Sequence, residues 1–531
     1  MTTARVRVRA ASYVDSVRLM GATRAMRQLD GVLWTAALMA TEANRAVLAA
    51  EGFDDPALDA AGANDLVLAV RADDGSIADK ALDRGVQALE AATASEPKAG
   101  TTVANRDLHE ALGRLPDANV AIVSVPGPYA ALEAHKALSA GLHVLLFSDN
   151  VPVADEVALK RRAAELGYLV MGPGAGTAAL AGTGLGFANA VRGGPVGIVA
   201  AAGTGAQEVM TLLHRWGAGV SHVVGVGGRD LSSQVSGCMT SVGLRALKAD
   251  PGTEMLLIVS KPPDREVAKR LLSGLAGTPA VAALLGVDGQ LPAPDGVEVA
   301  STLEGAVLGV LRRLGAPAPD PASGLVEAAR RAVLALDPGR TAIRGLFSGG
   351  TLCYETLCVV SRELGPVYSN TPIRPEWDLP APDGAHVCLD LGEEEFTRGR
   401  PHPMLDPAAR VEPIVAAGGD PRTGVVVLDV VLGYGAHEDP ASVLAPACAR
   451  ISAGVAVVAY VLGTDQDPQD RGAQCGQMEE AGCLIAPTAT RAALLAAAIA
   501  SRRPELAAGS SESAAGSSES AAGAAGGWGV V

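Results

Sequence analysis

The chain is poor in aromatic residues, has no paired cysteines and has no cluster of basic side chains. Aromatic residues make up only 3% of its 531 residues, so the core must be built mainly from Ala, Val, Leu and Ile. The net charge is -15, which disfavours nucleic-acid binding, because that role needs a basic face. The seven cysteines form no CxxC pair and are interpreted as reduced thiols of a cytoplasmic protein.

Several motifs of known chemistry are also missing. No run approaches the roughly 20 apolar residues of a membrane span, and the N-terminal segment has no apolar signal core. The spacings HxxxH, HxH and HExxH are absent, so no metal site is expected. Walker A, Rossmann GxGxxG and GxSxG motifs are absent too, which disfavours hydride transfer and serine hydrolysis. The sequence therefore predicts a cytoplasmic protein without a nucleic-acid or membrane partner.

Short apolar runs bounded by turn residues alternate with helical patterns along most of the chain. This alternation is typical of parallel strands covered by helices on both faces. The predicted strands of the first block are 66–70, 120–125, 142–147 and 168–171. The predicted segments are a domain at 1–190, a domain at 191–314, a linker at 315–339, a domain at 340–505 and a disordered Gly/Ala/Ser tail at 506–531.

The second and third blocks have the pattern of two copies of one unit. In each, an apolar strand is followed by Gly-Thr-x-x-x-Glu, at 203–208 and at 350–355, and then by a helical pattern. Three further pairs of segments match in the same order. They are 222–224 with 386–388, 282–286 with 459–463, and 299–302 with 485–488. Four ordered matches indicate an internal duplication.

Both repeated glycine loops have the features of an anion site. Free amides of a first helical turn point outward, and the helix dipole adds about half a positive charge there. The predicted phosphate ligands are Gly203, Thr204 and Gly205 in the first loop, and Gly349, Gly350 and Thr351 in the second. A plain tight turn is the alternative for either loop alone. The duplication favours a function, because two facing helix starts can hold one phosphoryl group.

Charged residues near these loops are candidates for chemistry. Glu208 and Glu355 fall in the first helical turns, where each either orients a catalytic group or complements the helix dipole. Arg400 and His402 lie in a proline-stiffened loop that suits carboxylate or phosphate binding, or proton transfer. His437 follows a predicted strand, where α/β sheets bind ligands, although this loop is equally explained as a helix cap. The acidic loop at 463–471 either binds a cation or an amide, or is only solvated.

Several stretches carry a family resemblance. PGPYA at 126–130, FSDNVP at 147–152 and MGPG at 171–174 resemble the CoA-binding domain of the succinyl-CoA synthetase α subunit. The second block resembles the ligase domain of that subunit, and the third resembles the C-terminal ligase domain of the β subunit. The series FSDNV, VMGP, GGRDLS, VSKPP, GGTL, GRPHPM and LDVVLG resembles the FdrA family over about residues 5–500.

The resemblance implies an α/β fold, with an N-terminal Rossmann-like CoA-binding-type domain followed by two flavodoxin-like succinyl-CoA-ligase-type domains. It implies cofactor contacts at Pro126, Tyr129, Ser148 and Asn150 if CoA binds. The sequence departs from succinyl-CoA synthetases in three places. Neither the 285–296 turn nor the 463–476 loop contains the phosphohistidine, the N-terminal glycine loop is replaced at 11–16, and Ala175 replaces a cysteine. A covalent phosphohistidine is therefore not expected, and CoA stays an open cofactor.

FdrA-type proteins are similar to a subunit linked to oxamate carbamoyl transfer in allantoin degradation. The expected function is therefore a subunit of a carbamoyl- or acyl-phosphate-handling transferase, converting oxalurate and phosphate to oxamate and carbamoyl phosphate. The candidate catalytic residues are His402, Arg400, His437, Glu208 and Glu355. The alternatives are an NDP-forming acyl-CoA synthetase subunit and a non-catalytic regulatory subunit. Dedicated partner subunits, or a homo-oligomer, are expected in each case.

Overall fold

The computed structural model describes residues 2–12, 14, 16–94, 105, 107–287, 291–398, 401–451 and 454–509. The chain divides into two compact units. The first comprises Met1–Arg106 and Glu394–Pro401, and the second comprises Asp107–Glu393 and His402–Val531.

The first unit is built on a three-stranded antiparallel sheet. Its elements are β1 (Thr3–Arg9), α1 (Ser16–Arg27), β2 (Val32–Met39), α2 (Glu42–Ala50), α3 (Pro56–Ala60), β3 (Leu66–Ala72) and α4 (Gly75–Ala94). Strand β3 lies in the centre and pairs antiparallel with both neighbours. Its residues are buried on both faces, with Leu68 and Val70 on one side and Val67 and Ala69 on the other.

This arrangement differs from the predicted 1–190 domain, in which the 66–70 strand belongs to a parallel sheet. Both faces of β3 are covered, so residues 66–70 are all apolar and have the pattern of a parallel strand. The parallel strands of the predicted domain start only after residue 107.

The second unit begins with a small parallel α/β part. Its elements are α5 (Leu108–Arg114), β4 (Val120–Val123), α6 (Gly127–Ser139), β5 (His143–Leu146), α7 (Val153–Leu166) and β6 (Val170–Met171). The three strands form a parallel sheet in the order β4-β5-β6.

A buried ionic network joins this part to the next domain. Lys160 of α7 donates to Glu156 and Asp230 at 2.8 Å each, and all three side chains are fully buried or nearly so. Asp230 also accepts from Thr240 N at 2.8 Å. The GGRDLS motif that contains Asp230 therefore serves packing in this structure.

The next domain is the first ligase-type domain. Its elements are β7 (Thr177–Leu180), β8 (Thr183–Gly186), β9 (Gly193–Ala201), α8 (Gly203–Arg215), β10 (Val220–Gly225), α9 (Cys238–Ala249), β11 (Met255–Ser260), α10 (Arg265–Ser273), β12 (Ala280–Leu284), β13 (Val297–Ala300) and α11 (Leu303–Arg313). The sheet order is β13-β12-β11-β9-β10-β7-β8, and β9 to β13 are parallel. Counted from β9, the parallel strands follow the flavodoxin-like order 2-1-3-4-5.

The second ligase-type domain repeats this order. Its elements are α12 (Leu325–Ala335), β14 (Ala342–Phe347), α13 (Gly350–Leu364), β15 (Val367–Tyr368), β16 (His386–Asp390), α15 (Val411–Gly419), β17 (Thr423–Val431), α16 (Pro440–Cys448), β18 (Ala456–Leu462), α17 (Arg471–Glu480), β19 (Leu484–Ala486) and α18 (Ala489–Ala500). Helix α14 (Glu394–Thr397) stands between β16 and α15 in the sequence but belongs to the first unit. The parallel sheet runs β15-β16-β14-β17-β18-β19. The predicted α/β fold class is confirmed.

The two ligase-type domains share one apolar core. The first domain contributes Val209 from α8 and Val307 from α11 to this core. The second domain contributes Leu357 from α13 and Leu495 from α18. These four helices therefore fix the carboxyl edges of the two sheets relative to each other.

Two predicted boundaries differ from the structure. The linker at 315–339 contains helix α12, which buries Leu325 and Ala329 in the shared core. The predicted tail starts inside a short 3-10 helix, Pro504–Ala508, in which Ala507 is buried. The rest of the tail, 510–531, lies outside the described residues. None of the helices in the described ranges has the length and apolarity needed to cross a membrane.

Candidate functional site

The topology indicates where each sheet binds a ligand. In a 2-1-3-4-5 sheet, ligands bind beyond the carboxyl ends of the strands, where the strand order reverses between strands one and three. In the first ligase-type domain these strands are β9 and β11, which lead into Gly203 and Lys261. In the second they are β14 and β17, and β14 leads into Ser348. The glycine loops therefore lie at the reversal points of both sheets.

The first loop presents an open helix start. Helix α8 begins at Gly203, and its first internal hydrogen bond runs from Ala206 N to Ala202 O at 2.9 Å. The amides of Gly203, Thr204 and Gly205 precede that bond, so they have no partner within the helix. Gly203 is exposed, and a Cβ atom on it would meet nothing within 4 Å. These amides and the helix dipole favour an anion here.

The two loops meet directly. Thr351 N donates a hydrogen bond to Thr204 Oγ1 at 3.1 Å. A Cβ atom on Gly205 would lie 2.8 Å from Thr351 Cγ2, and one on Gly349 would lie 3.0 Å from Thr204 Cγ2. Glycine is therefore needed at 205 and 349, because the opposite loop approaches so closely. The structure brings the two predicted loops together at the domain interface.

The second loop already holds an internal carboxylate. Asp429 Oδ1 accepts from Ser348 N at 2.8 Å, and Asp429 Oδ2 accepts from Gly349 N at 2.7 Å. Arg410 pairs with the same carboxylate at 2.9 Å, and both side chains are buried. Burial lowers the pKa of Arg410, and the charge of Asp429 opposes that shift. The expectation that the Gly349 amide faces a phosphate is therefore corrected, because Asp429 takes that place.

A carboxyl and an ammonium group flank the start of α13. Asp390 is the last residue of β16, and burial raises its pKa to about 7, while the charge of Lys261 acts in the opposite direction. A Cβ atom on Gly350 would clash with Asp390 Oδ2 and would lie 3.6 Å from Lys261 Nζ. A cation of the first domain and a titratable carboxyl of the second therefore approach the same point.

His402 lies beside this carboxyl. Its Nδ1 accepts from Met404 N at 3.2 Å, so the neutral ring carries its proton on Nε2. Burial lowers the pKa of His402 to about 4, so the ring is neutral at pH 7. A Cβ atom on Gly392 would lie 2.6 Å from His402 Nε2, 3.1 Å from Asp390 Oδ1 and 3.0 Å from Ser348 O. His402 thus contributes a neutral N–H donor next to Asp390.

The other predicted loop residues are placed differently. His437 N donates to Met404 O at 2.9 Å, which ties its loop to that of His402. His437 Nδ1 accepts from Asp439 N at 3.1 Å, and Asp439 caps α16, as in the helix-cap alternative. Arg400 lies outside the described residues.

Glu208 and Glu355 do not face the glycine loops. Glu208 Oε1 accepts from Ala489 N at 3.2 Å, at the start of α18 in the other domain, and Glu208 Oε2 accepts from the Tyr460 hydroxyl. Glu355 Oε1 accepts from Leu303 N at 2.7 Å, at the start of α11. Each glutamate therefore caps a helix of the opposite domain. These contacts favour the helix-dipole alternative, because each glutamate complements the dipole of a neighbouring helix.

Burial raises the pKa values of both glutamates. Burial raises the pKa of Glu208 to about 7. Burial, followed by the charge of Glu208, raises the pKa of Glu355 to about 8. The Oε2 atom of Glu355 is buried without a hydrogen-bond partner among the described residues. Both carboxyls are therefore easily protonated near neutral pH.

The predicted CoA contacts lie at the carboxyl edge of the small parallel sheet. Pro126 caps α6, and a Cβ atom on Gly127 would clash with the backbone of 149–150, so the two loops touch. Ser148 Oγ accepts from Val125 N at 3.0 Å, so it holds the loops together. Tyr129 is 67% exposed, and Asn150 is exposed as well. This edge is where such sheets bind nucleotides, so Tyr129 and Asn150 fit a nucleotide-bearing cofactor by placement.

The acidic loop at 463–471 is internally satisfied. Asp467 accepts from Thr464 N at 2.8 Å, from Asn189 Nδ2 at 2.8 Å and from Ala190 N at 2.7 Å. Asp467 therefore binds amide groups of the protein itself, so at this residue the loop is neither simply solvated nor open to a cation.

Lys261, Asp390, Asp429 and Arg410 were not among the predicted site residues. Asp429 had a clear signal, since it interrupts the fully buried strand TGVVVLDVV. An aspartate in a central parallel strand is costly unless it is paired, so its presence indicates a specific partner. Lys261 and Asp390 also stand at or just after strand ends, where ligands bind.

Family models match both ends of the chain. A family described as "CoA-ligase" matches residues 346–499. A family described as "AllF, heavy metal-associated domain" matches residues 1–106. That stretch contains neither Cys nor His, and no group of three potential ligands could hold a metal ion in the described part of the chain. Its residues therefore do not fit a thiolate or imidazole metal site.

Three known proteins are similar to this chain. Succinate–CoA ligase [ADP-forming] subunit alpha-2, mitochondrial, of Trichomonas vaginalis is 31% identical over 31% of this chain and 54% of its own. The apo structure of Ca. Korarchaeum cryptofilum dinucleotide forming acetyl-coenzyme A synthetase 1 covers 73% of this chain and 84% of that chain, at 14% identity and a TM-score of 0.27. The uncharacterized protein YahF of Escherichia coli (strain K12) is 37% identical over 91% of this chain and 96% of its own. The chain therefore belongs to the same family as YahF.

Proposed function

We propose that this chain is the acyl-phosphate-handling subunit of a CoA-ligase-type enzyme. In this proposal, the first glycine loop holds the phosphate of a mixed anhydride between a carboxylic acid and phosphoric acid. One observation carries it: the starts of α8 and α13 meet at the Thr204–Thr351 hydrogen bond, with Lys261 and Asp390 beside them. The match of 346–499 to the CoA-ligase family supports the same class of reaction.

The side chains suit acyl transfer to phosphate. The open amides of α8 and the Lys261 ammonium stabilise the phosphate charge. A phosphate oxygen attacks the acyl carbon, the new C–O bond forms, and the bond from that carbon to the leaving sulfur or nitrogen breaks. Asp390 has a pKa of about 7, which suits transfer of a proton to the leaving atom. The Nε2–H group of His402 suits donation to the acyl oxygen.

CoA fits this proposal as a carrier that supplies a thiol for the acyl group. Tyr129 and Asn150 are the exposed residues that would hold it, and Ser148 would only fix the loop. We expect partner subunits, or further copies of the chain, to complete the enzyme.

A carbamoyl substrate is the second candidate, in line with the FdrA resemblance. Carbamoyl phosphate is also a mixed anhydride of phosphate, so the same amides, Lys261 and Asp390 would serve it. The absence of histidine from the 285–296 and 463–476 stretches favours a reaction without a phosphohistidine. In this alternative, the reaction is the oxamate carbamoyltransferase step.

A two-arm assay on the full chain tests the proposal. The first arm supplies acetyl-CoA or succinyl-CoA with phosphate and measures thiol release. The second arm supplies oxamate with carbamoyl phosphate and measures phosphate release. We expect turnover in the first arm, and at least a tenfold loss in Lys261→Gln. Lys269→Gln is the matched control, because Lys269 lies at the surface of α10 and pairs with Glu266.

The outcomes separate the candidates. Turnover in the second arm alone would favour the carbamoyl alternative. Absence of turnover in both arms, together with no binding of phosphate, would contradict the proposal and favour a non-catalytic subunit.

A further inference from the structure

A cleft of about 300 Å³ lies between the two ligase-type domains, apart from the glycine loops. Leu284 and Val287 of the first domain form one wall, and Arg362, Arg374 and Trp377 of the second form the other. Its size is at the lower end of the range for small-molecule sites.

The cleft is cationic in a strongly acidic protein. Two arginines line it, and no Asp or Glu does so among the described residues. In that same part of the chain, neither Arg362 nor Arg374 takes part in an ion pair with a carboxylate. The chain as a whole has a net charge of -15, so two unpaired guanidinium groups in one cleft are a local reversal of sign. Such groups bind carboxylates and phosphates through paired N–H donors.

The rest of the lining combines the indole ring of Trp377 and aliphatic side chains with the hydroxyl groups of Ser301 and Ser361. The guanidinium carbon of Arg374 lies 5.1 Å from the centroid of the Trp377 ring, so the ring holds that side chain in the second wall. Leu284, Val287 and Ile373 supply the apolar surface. The cleft therefore combines an anion-binding edge with a surface for a flat apolar body.

The cleft is distant from the candidate site along α13. Arg362 lies twelve residues after Gly350 on this helix, which corresponds to about 18 Å. Tyr354, one turn after Gly350, would be in contact with a Cβ atom on Gly286 at the edge of the cleft. A ligand in the cleft would therefore contact both domains without reaching the glycine loops.

We propose that this cleft is a second binding site, which takes a small organic anion with a flat apolar body. The two guanidinium groups bind its carboxylate or phosphate, and the apolar walls bind the body. This proposal does not depend on the reaction proposed for the glycine loops.

Calorimetry with three probes on the full chain tests it. Phenyl phosphate has both features, inorganic phosphate has only the charge, and phenol has only the ring. We expect one phenyl phosphate per chain, bound at least tenfold more tightly than phenol. Arg362→Gln and Arg374→Gln should each weaken phenyl phosphate at least fivefold. Arg330→Gln is the matched control, because Arg330 is an exposed arginine paired with Glu327.

Lys261→Gln separates the two sites. If phenyl phosphate occupies the cleft, its affinity is unchanged in this variant, while that of inorganic phosphate at the glycine loops falls. Equal phenyl phosphate affinity in the wild type and in both cleft variants would overturn the proposal. So would a loss of phenyl phosphate binding in Lys261→Gln alone, or no binding of this probe.

Discussion

The two ligase-type domains share a topology but differ in the side chains that face their glycine loops. The second domain has Asp390 and Asp429 there. The repeat places Val226 of the first domain at the position of Asp390, because 222–224 matches 386–388. Val259 is the counterpart of Asp429. Val199 and Leu346 are equivalent in the repeat, and they pair with Ile258 and Leu428 of the neighbouring strands. The residues that follow these partners are Val259 and Asp429.

The structure shows the consequence of this difference. Val259 Cγ1 would lie 3.0 Å from a Cβ atom on Gly205, so an apolar group faces the first loop. In the second loop, Asp429 binds two backbone amides instead. Val259 has no acceptor for the amides of the first loop, which leaves them free for an external anion, whereas Asp429 occupies amides of the second loop. The two copies therefore have the same fold, but the difference between Val259 and Asp429 gives their loops different roles.

The interface between the domains kept its symmetry. Glu208 and Glu355 occupy equivalent positions, and each caps the first turn of a helix in the other domain. The helices that they cap, α18 and α11, also correspond in the repeat. The interface contacts are alike in the two domains, whereas the loop contacts differ. Substitutions can therefore change one set of contacts without changing the other.

The largest expected effect comes from Asp429→Asn. This change removes the charge that pairs with the buried Arg410 and weakens the bonds to Ser348 and Gly349. Leaving a buried charge unpaired costs about 3–5 kcal/mol, so the free energy of unfolding should fall by that amount. Denaturant unfolding measures it, with Val259→Ala as the control at the corresponding position. An unchanged free energy of unfolding in Asp429→Asn would show that the carboxylate has no special structural role.

The symmetric glutamates predict a pH dependence. The pKa values of Glu208 and Glu355 are raised to about 7 and about 8, so the folded chain keeps protons that the unfolded chain releases near 4.5. The folded state thus binds more protons between these values, and stability should fall as the pH rises from about 5 to 8. For Glu208 alone, the expected loss is on the order of 3 kcal/mol.

Unfolding measured across this pH range checks the sign. Glu208→Gln and Glu355→Gln should each flatten the profile, because glutamine resembles the protonated carboxyl. The exposed Glu327→Gln should leave it unchanged. A profile that rises from pH 5 to 8 in the wild type and is unaffected by either substitution would refute this account.

The smallest expected effect concerns the contact between the loops. Thr204→Val removes the acceptor of the Thr351 amide, which should cost about 1 kcal/mol. Thr204→Ser retains the hydroxyl and should cost less. If Thr204→Val loses no stability in denaturant unfolding, the hydrogen bond between the loops does not contribute to stability.

The sequence predicted the fold class correctly, and it correctly placed both glycine loops at helix starts. Apolar runs and repeated Gly-Thr-x-x-x-Glu patterns are local features, and they were sufficient for both. The separate N-terminal unit was not predicted, because β3 is covered on both faces and therefore has the pattern of a parallel strand. Lys261 was missed as a site residue, because only the three-dimensional order of the strands brings it to the loops. Asp429 was missed although an aspartate within a buried strand is a signal in the sequence.

The roles of Glu208 and Glu355 were also beyond the sequence. Each partner helix start lies far away in the chain, and nothing local distinguishes a cap for a distant helix from a catalytic carboxylate. His402 and Asp390 show the same limit, since their proximity depends on how the 402–406 loop folds back over β16.

The central claim is that an anion binds to the free amides of the first loop, and two substitutions at Gly203 test it most directly. Gly203 is the first residue of α8, and Ala202 before it is extended, so proline fits there and removes one amide donor. Gly203→Ala keeps the amide and has open space for its methyl group. Titration calorimetry with inorganic phosphate should show wild-type affinity in Gly203→Ala and a loss of about tenfold or more in Gly203→Pro. Equal affinity in a Gly203→Pro variant whose thermal unfolding is unchanged would contradict the account.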